Sequence, residues 1–219
     1  MPGRGLTGVG KSKIGLPSTP QLIINILNSE GIERVHIVGV SLGSLLAQSF
    51  ALQYPDKTLS LTVLGGYDIT REQKELAKTQ RQKMVGWLFK MIFSMDAFRR
   101  HVASISVIDK VEQAHFYNSA KLFTRKSFVA MKGMDKLSAN LGGVKRDVTL
   151  LLMAGDQDVK QAVDATIEWH EEEPDTQLAI IENAGHCANM DNADEFNERL
   201  MAFVSNPEQN RPGGTKLYI

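Results

Sequence analysis

Arg34-Val-His-Ile-Val-Gly-Val-Ser-Leu-Gly-Ser-Leu-Leu-Ala-Gln-Ser-Phe-Ala-Leu-Gln53 is the stretch that decides how this chain folds. Val35, Ile37, Val38 and Val40 make a short β-branched run, the pattern of a buried strand. Leu42 to Gln53 has the Leu, Ala and Phe content of a helix that begins at once. Between them, Gly39-Val40-Ser41-Leu42-Gly43 fits G-x-S-x-G. Glycines two places either side of the serine predict a turn too tight for side chains. Such a turn lifts Ser41 Oγ clear of the sheet and sets it at a helix N-terminus. The free Leu42 N–H and the positive helix end can then stabilise an oxyanion. Between a strand and a helix, the pentapeptide reads as a nucleophile elbow.

Upstream, Ser18 or Thr19 predicts a cap for a helix to about Glu30. Pro20 stands in its first turn, its apolar stripe is Leu22, Ile23, Ile26 and Leu27, and Gly31 ends it. Downstream, Tyr54-Pro55-Asp56 is a turn, and Leu59 to Leu64 is a second strand closed by Gly65-Gly66. The sheet resumes at Val148 to Ala154, which runs into Gly155-Asp156-Gln157-Asp158. A helix from about Val159 to Glu172 follows, and its Glu171-Glu172-Glu173 run is expected to be solvated. Thr176 to Glu182 is a fourth strand, followed by the loop Asn183-Ala184-Gly185-His186 and a helix from about Ala193 to Ser205. Residues 206–219, with two prolines and Gly213-Gly214, predict a mobile tail.

The 219 residues suffice for one domain carrying an insertion, and their 42% hydrophobic and 23% charged content is ordinary for a globular protein. Twenty-five basic and 25 acidic residues cancel, so no nucleic-acid partner is expected. Cys187 stands alone, which excludes an intrachain disulfide and fits a reducing, cytoplasmic setting. Met1 to Gly15 has no apolar signal core, and no stretch reaches the length of a membrane span. Charge is unevenly distributed, however. Arg71 to Arg146 holds sixteen basic residues against six acidic ones, which fits a basic surface for an anionic substrate or membrane but more simply predicts a basic insertion docked on an acidic body.

That insertion runs from Tyr67 to about Gly143 and is helix-forming, Met- and Phe-rich, with no strand of the sheet type. The run from Met84 to Met95 is too apolar for an ordinary surface helix. Its Trp87, Phe89 and Met91 are candidates to line a greasy substrate pocket. Gly5-Leu6-Thr7-Gly8-Val9-Gly10-Lys11-Ser12 matches the phosphate-loop pattern, but that loop needs a buried strand before it. Only Met1 to Arg4 precede it, and Gly15 and Pro17 interrupt any helix behind it. A P-loop nucleotide site is therefore the remote alternative. His170-Glu171 lacks the second histidine of a zinc-binding helix, so no metal or cofactor is expected.

Strand, helix, strand, insertion, strand, helix, strand, helix is a parallel α/β order, and such sheets collect functional groups at the strands' carboxyl ends. Ser41 follows the first strand, Asp156 and Asp158 the third, and His186 the fourth. The sequence here resembles the α/β-hydrolase superfamily, through Val35 to Gly43, Tyr54 to Lys57, Gly155 to Asp158 and Ala184 to His186. The resemblance implies a core of residues 1–66 and 144–205, the C-terminal half of that family's usual sheet, with 67–143 as an inserted helical cap. It implies a Ser41-His186-Asp158 triad acting on a small-molecule ester or related acyl substrate. Asp158 is the acid because it closes the Gly-x-x-Asp turn, with Asp156 and Asp68 as rivals.

His186 would take the Ser41 proton and Asp158 would hold the imidazole in its useful tautomer. A histidine base must be neutral, so acid should suppress the reaction. Each residue also has a plain reading: a turn serine, a helix-capping aspartate and a hydrogen-bonded loop histidine. His36, His101 and His115 carry no motif, and Cys187 reads as a small buried side chain. A complete family member has strands ahead of Met1, together with a His-Gly loop carrying the second oxyanion N–H. The chain is therefore expected to expose a sheet edge, to self-associate and to be a feeble hydrolase. A catalytically weak ligand-binding relative, or a truncated fragment, is the alternative.

Overall fold

β1 (Val35–Val40), β2 (Thr58–Leu64), β3 (Thr149–Gly155) and β4 (Gln177–Ile181) pair in parallel in the order β1-β2-β3-β4. The structure, a computed structural model, describes residues 15–71, 94–125, 127, 133–137, 144 and 146–205. Its helices are α1 (Thr19–Ser29), α2 (Leu42–Gln53), α3 (Met95–Ser106), α4 (Lys110–Ala120), α5 (Lys160–Glu172), α6 (Ala188–Asp191) and α7 (Ala193–Ser205). This is the parallel α/β architecture that the strand order predicts, with each strand boundary within one residue of expectation.

All of β3 is buried, the mark of a strand covered on both faces. On one face Ala47 and Ala51 of α2 and Trp169 of α5 pack on Leu61, Val63, Leu150 and Leu152. On the other, Ala188 of α6 with Phe196 and Phe203 of α7 cover Leu64, Leu151, Met153 and Ile181. Each such Leu or Phe, fully buried, contributes roughly 1.5–3 kcal/mol. The core thus grips the strands whose carboxyl ends carry Ser41, Asp158 and His186.

Three local readings need correction. On α1 the buried face is Thr19, Pro20, Ile24 and Leu27, while Ile26 is 59% exposed. A 3-10 turn over Leu16–Ser18 leads straight into the helix, so Ser18 makes no side-chain cap and the face pointing at Phe50 is shifted in phase. On β1, His36 and Val38 are exposed, because among the described residues the cluster over that face reaches β1 only at Val40, its carboxyl end. Among the described residues β1 pairs with β2 alone, leaving its outer edge open. The glutamate run is not simply solvated: Arg71 pairs with Glu172 and Glu173, and Arg146 Nη2 donates to Glu173 Oε1 at 2.8 Å.

The segment between β2 and β3 contains α3 and α4, which pack on each other. Ser94 caps α3 by accepting from the Ala97 N–H, and Asp109 caps α4 by accepting from the Val111 and Glu112 N–H groups. The segment leaves and rejoins the core through one neck. Arg146 Nη1 donates to Asp68 Oδ1 at 2.7 Å and Arg71 Nε to Asp68 Oδ2 at 2.9 Å. The Arg146 guanidinium also lies 4.8 Å from the Trp169 ring centre. Arg71 thus ties the start of the segment to Glu172 and Glu173, while Asp68 beside it is held by Arg146 at the other end.

Candidate active site

Ser41 has φ 52° and ψ −122°, a conformation that costs a non-glycine residue about 1–3 kcal/mol. Sheet and helix impose it together. The Ser41 N–H donates to Leu64 O at 2.9 Å, while Ser41 O accepts the Ser44 N–H and Oγ–H at 2.9 and 2.6 Å. A Cβ at Gly39 would stand 2.4 Å from Ser44 Cα, so strand and helix can approach only if that residue is glycine. Gly43 is different: a Cβ there meets nothing within 4 Å. The second glycine of the pentapeptide is not sterically required among the described residues, because its side of the turn is open. Leu42 heads α2, and its N–H has no carbonyl of its own helix to bind.

Asp158 and His186 meet across the sheet edge. His186 Nδ1 lies 2.8 Å from Asp158 Oδ2, with the Asp158 side chain 3% exposed and the His186 side chain 25% exposed. Asp158 also accepts from the Val159 N–H through Oδ1 at 2.7 Å. A carboxylate facing Nδ1 assigns the proton there and leaves Nε2 with its lone pair free. The ring rests on Gly65, where a Cβ would stand 3.0 Å from Cε1 and 3.1 Å from Nδ1. Gly65 follows Leu64, which holds the Ser41 N–H, so serine and histidine flank one glycine at the ends of β1 and β2. Among the described residues no hydrogen bond yet joins Ser41 Oγ to His186.

The loop carrying His186 is set by backbone. Asn183, at φ 53°, starts it in the left-handed region that Asn tolerates. It then crosses so near β3 that a Cβ at Gly155 would meet Ala184 O at 2.2 Å. Asp156 Oδ1 accepts from the Ala184 N–H at 3.0 Å, and Asp191 Oδ2 from the Gly185 N–H at 2.8 Å. Asp156, a rival for the acid, therefore binds the loop backbone. The other rival, Asp68, is 2% exposed and engaged by Arg146, Arg71 and Thr70.

The remaining predicted residues have other partners or lie elsewhere. His36 Nδ1 faces Ser60 Oγ at 2.7 Å, and its pKa is lowered by burial and then by Arg34. His115 faces Glu112, His170 faces Thr176 Oγ1 and His101 is half-buried on α3. Cys187 is buried; desolvation, then the charges of Asp191 and Asp158, pushes its thiol up to about 12, so it is no nucleophile. Trp87, Phe89 and Met91, the Gly5–Ser12 motif and the tail 206–219 lie outside the described residues. Among the described residues no group of His, Cys, Asp or Glu could hold a metal, and no helix is long and apolar enough to cross a membrane. Asp191 escaped the sequence reading; the available signal was an acidic residue just beyond the histidine loop.

Comparison with known proteins gives this geometry a context. The family described as alpha/beta hydrolase fold matches residues 6–93. The chain is 26% identical over 189 residues to a 2-hydroxy-6-oxononadienedioate/2-hydroxy-6-oxononatrienedioate hydrolase of Comamonas testosteroni, covering 80% of this chain and 64% of that one. It is 24% identical over 191 residues to the corresponding hydrolase 1 of Dechloromonas aromatica, covering 82% and 65%. The chain thus spans just under two thirds of these relatives' lengths. Among solved structures, an esterase from Exiguobacterium antarcticum matches with TM-score 0.74 at 16% identity, over 93% of this chain and 78% of that one. A meta-cleavage product hydrolase from Pseudomonas fluorescens matches with TM-score 0.69 at 20% identity, over 94% and 78%.

Proposed function

We propose that this chain, whose residues 6–93 match the alpha/beta hydrolase fold family, is an α/β-hydrolase that acts as a serine hydrolase on a small-molecule ester or related acyl compound. The observation that carries the reading is the 2.8 Å contact of His186 Nδ1 with Asp158 Oδ2, beside Gly65 and the strained Ser41. His186 Nε2 takes the Ser41 Oγ proton as Oγ bonds the substrate carbonyl carbon. The carbonyl oxygen becomes an oxyanion against the Leu42 N–H at the head of α2. The carbonyl re-forms, the alcohol leaves with the proton from His186, and water activated by the same imidazole releases the acid. Asp158 keeps Nδ1 protonated and stabilises the imidazolium. Residues 67–143 would serve as the cap over the acyl pocket, the role for which Trp87, Phe89 and Met91 are candidates by sequence.

Covalent labelling by a fluorophosphonate tests this reading. Ser41 should carry the label, and Ser41→Ala should carry none while keeping its circular dichroism spectrum. A label on another residue, or undiminished labelling of the variant, overturns it. The names of the relatives favour a second substrate class, a 2-hydroxy-6-oxo-dienoic acid such as 2-hydroxy-6-oxononadienedioate. p-Nitrophenyl esters of increasing acyl length, assayed beside such a dienoic acid, decide between the two classes.

A further inference from the structure

Asp191 ends the four-residue α6 and accepts three backbone hydrogen bonds from two separate parts of the chain. Its Oδ2 takes the Gly185 N–H at 2.8 Å, one residue before His186. Its Oδ1 takes the Ile108 and Asp109 N–H groups, both at 2.9 Å, in the link between α3 and α4. One residue after His186, the Cys187 N–H donates to Ser106 O at 2.7 Å, at the end of α3. Ile108 closes the contact, its Cγ2 only 3.0 Å from where a Gly185 Cβ would be. The imidazole is therefore held on both flanks by the inserted helices, and Asp191 is the side chain that joins the two.

We propose that Asp191 is a positioning residue, which couples the seat of the α3–α4 link to the orientation of the His186 ring toward Asp158 and Ser41. The proposal rests on the reading of His186 as the base. A carboxylate can accept on both oxygens at once, whereas an amide must turn a donor toward one set of N–H groups. Asp191→Asn keeps the size and breaks one half of the clamp. Ile108→Pro removes one donor from the opposite side and leaves the Asp191 charge in place. Its preceding residue, Val107, is already extended, as proline requires.

The experiment compares the unsubstituted chain with Asp191→Asn, Ile108→Pro and Asp109→Ala. The last removes the cap of α4 but keeps the N–H that Asp191 accepts. Fluorophosphonate labelling gives kinact and KI, proton NMR follows the His186 Nδ1–H, and thermal melting follows stability. Asp191→Asn should lower kinact at least tenfold with KI within twofold, and should broaden or abolish the Nδ1–H signal. Ile108→Pro should lower kinact at least threefold. Asp109→Ala should melt earlier yet label within twofold of the unsubstituted rate. An unchanged kinact with a sharp Nδ1–H signal in Asp191→Asn overturns the proposal, and so does an equal loss in Asp109→Ala. If Asp191→Asn fails to fold, Ile108→Pro decides by the same readouts. If the unsubstituted chain does not label, the hydrolase reading falls and the Nδ1–H signal alone decides the role of Asp191.

Discussion

The His186 ring lies against Gly65, so close that a methyl group on that α-carbon would stand 3.0 Å from Cε1 and 3.1 Å from Nδ1. Gly65 also has φ +59°, which L-residues adopt at a cost of roughly 1–2 kcal/mol. Gly65→Ala should therefore displace the ring and strain the turn together. Labelling of Ser41 should fall at least tenfold and the melting temperature should drop by several degrees. Labelling and melting equal to those of the unsubstituted chain would show that the ring has room to move.

Strain at Ser41 predicts opposite effects on stability and chemistry. Ser41→Gly removes the hydroxyl and makes φ 52° easy to adopt. It should abolish labelling while stabilising the fold by about 1 kcal/mol, against little change in Ser41→Ala. Denaturant melts of the two variants measure the difference, and equal stability would mean that the strain is relieved elsewhere.

The three aspartates should separate cleanly. Asp158→Asn should lower turnover by about 10⁴, the magnitude seen when a triad acid loses its charge. Asp156→Asn should cost far less, since its carboxylate holds the Ala184 N–H and not the imidazole. Asp68→Asn should act on stability, because it leaves the buried Arg146 with Glu173 as its one remaining carboxylate. Losing one partner of a buried pair costs about 3–5 kcal/mol when nothing else compensates the charge, so Glu173 should keep the loss below that. Steady-state rates with parallel melts test the ranking, and a larger loss of turnover in Asp156→Asn would transfer the acid role to that residue.

Alkaline pH should act on Cys187. Its thiol is raised from 9.0 to about 12, so the folded chain keeps a proton that the unfolded chain gives up. The contribution is fully present below pH 9.0 and is lost as pH rises toward about 12. Iodoacetamide at pH 8 should spare the native thiol and modify it after unfolding. A Cys187→Ala variant should lose less stability than the unsubstituted chain between pH 9 and 11. Rapid alkylation of the native protein would contradict the burial.

What the sequence reveals, and what it conceals, follows from the range of each signal. The elbow is legible because a β-branched run, a glycine-flanked serine and a helical run lie within twenty residues. The approach of Asp158 and His186 is legible because each follows a strand end, and a parallel sheet brings such ends to one edge. Asp191 is not, since its partners are amides of Ile108 and Gly185, which any residue type provides. The Asp68–Arg146 pair is hidden for a similar reason: 78 positions separate the two, and no period links them. The face of α1 is missed by a fraction of a turn because the preceding 3-10 turn alters its phase. Gly43 shows the opposite error, a motif residue read as a steric need where, among the described residues, the space is open.

The neck at Asp68 and Arg146 makes the insertion an exchangeable cassette. Its two ends are fastened to each other and to Glu173, so the sheet does not depend on the intervening chain to bring β2 and β3 together. The cassette keeps one more tie to the core, because Leu137 is buried with Leu45 and Leu46 of α2. If the segment is the cap proposed above, substrate preference would lie in it while the serine turn, the aspartate turn and the histidine loop stay as they are. A further tie is the link at Ile108 and Asp109, where any transplanted segment must again offer two amides to Asp191.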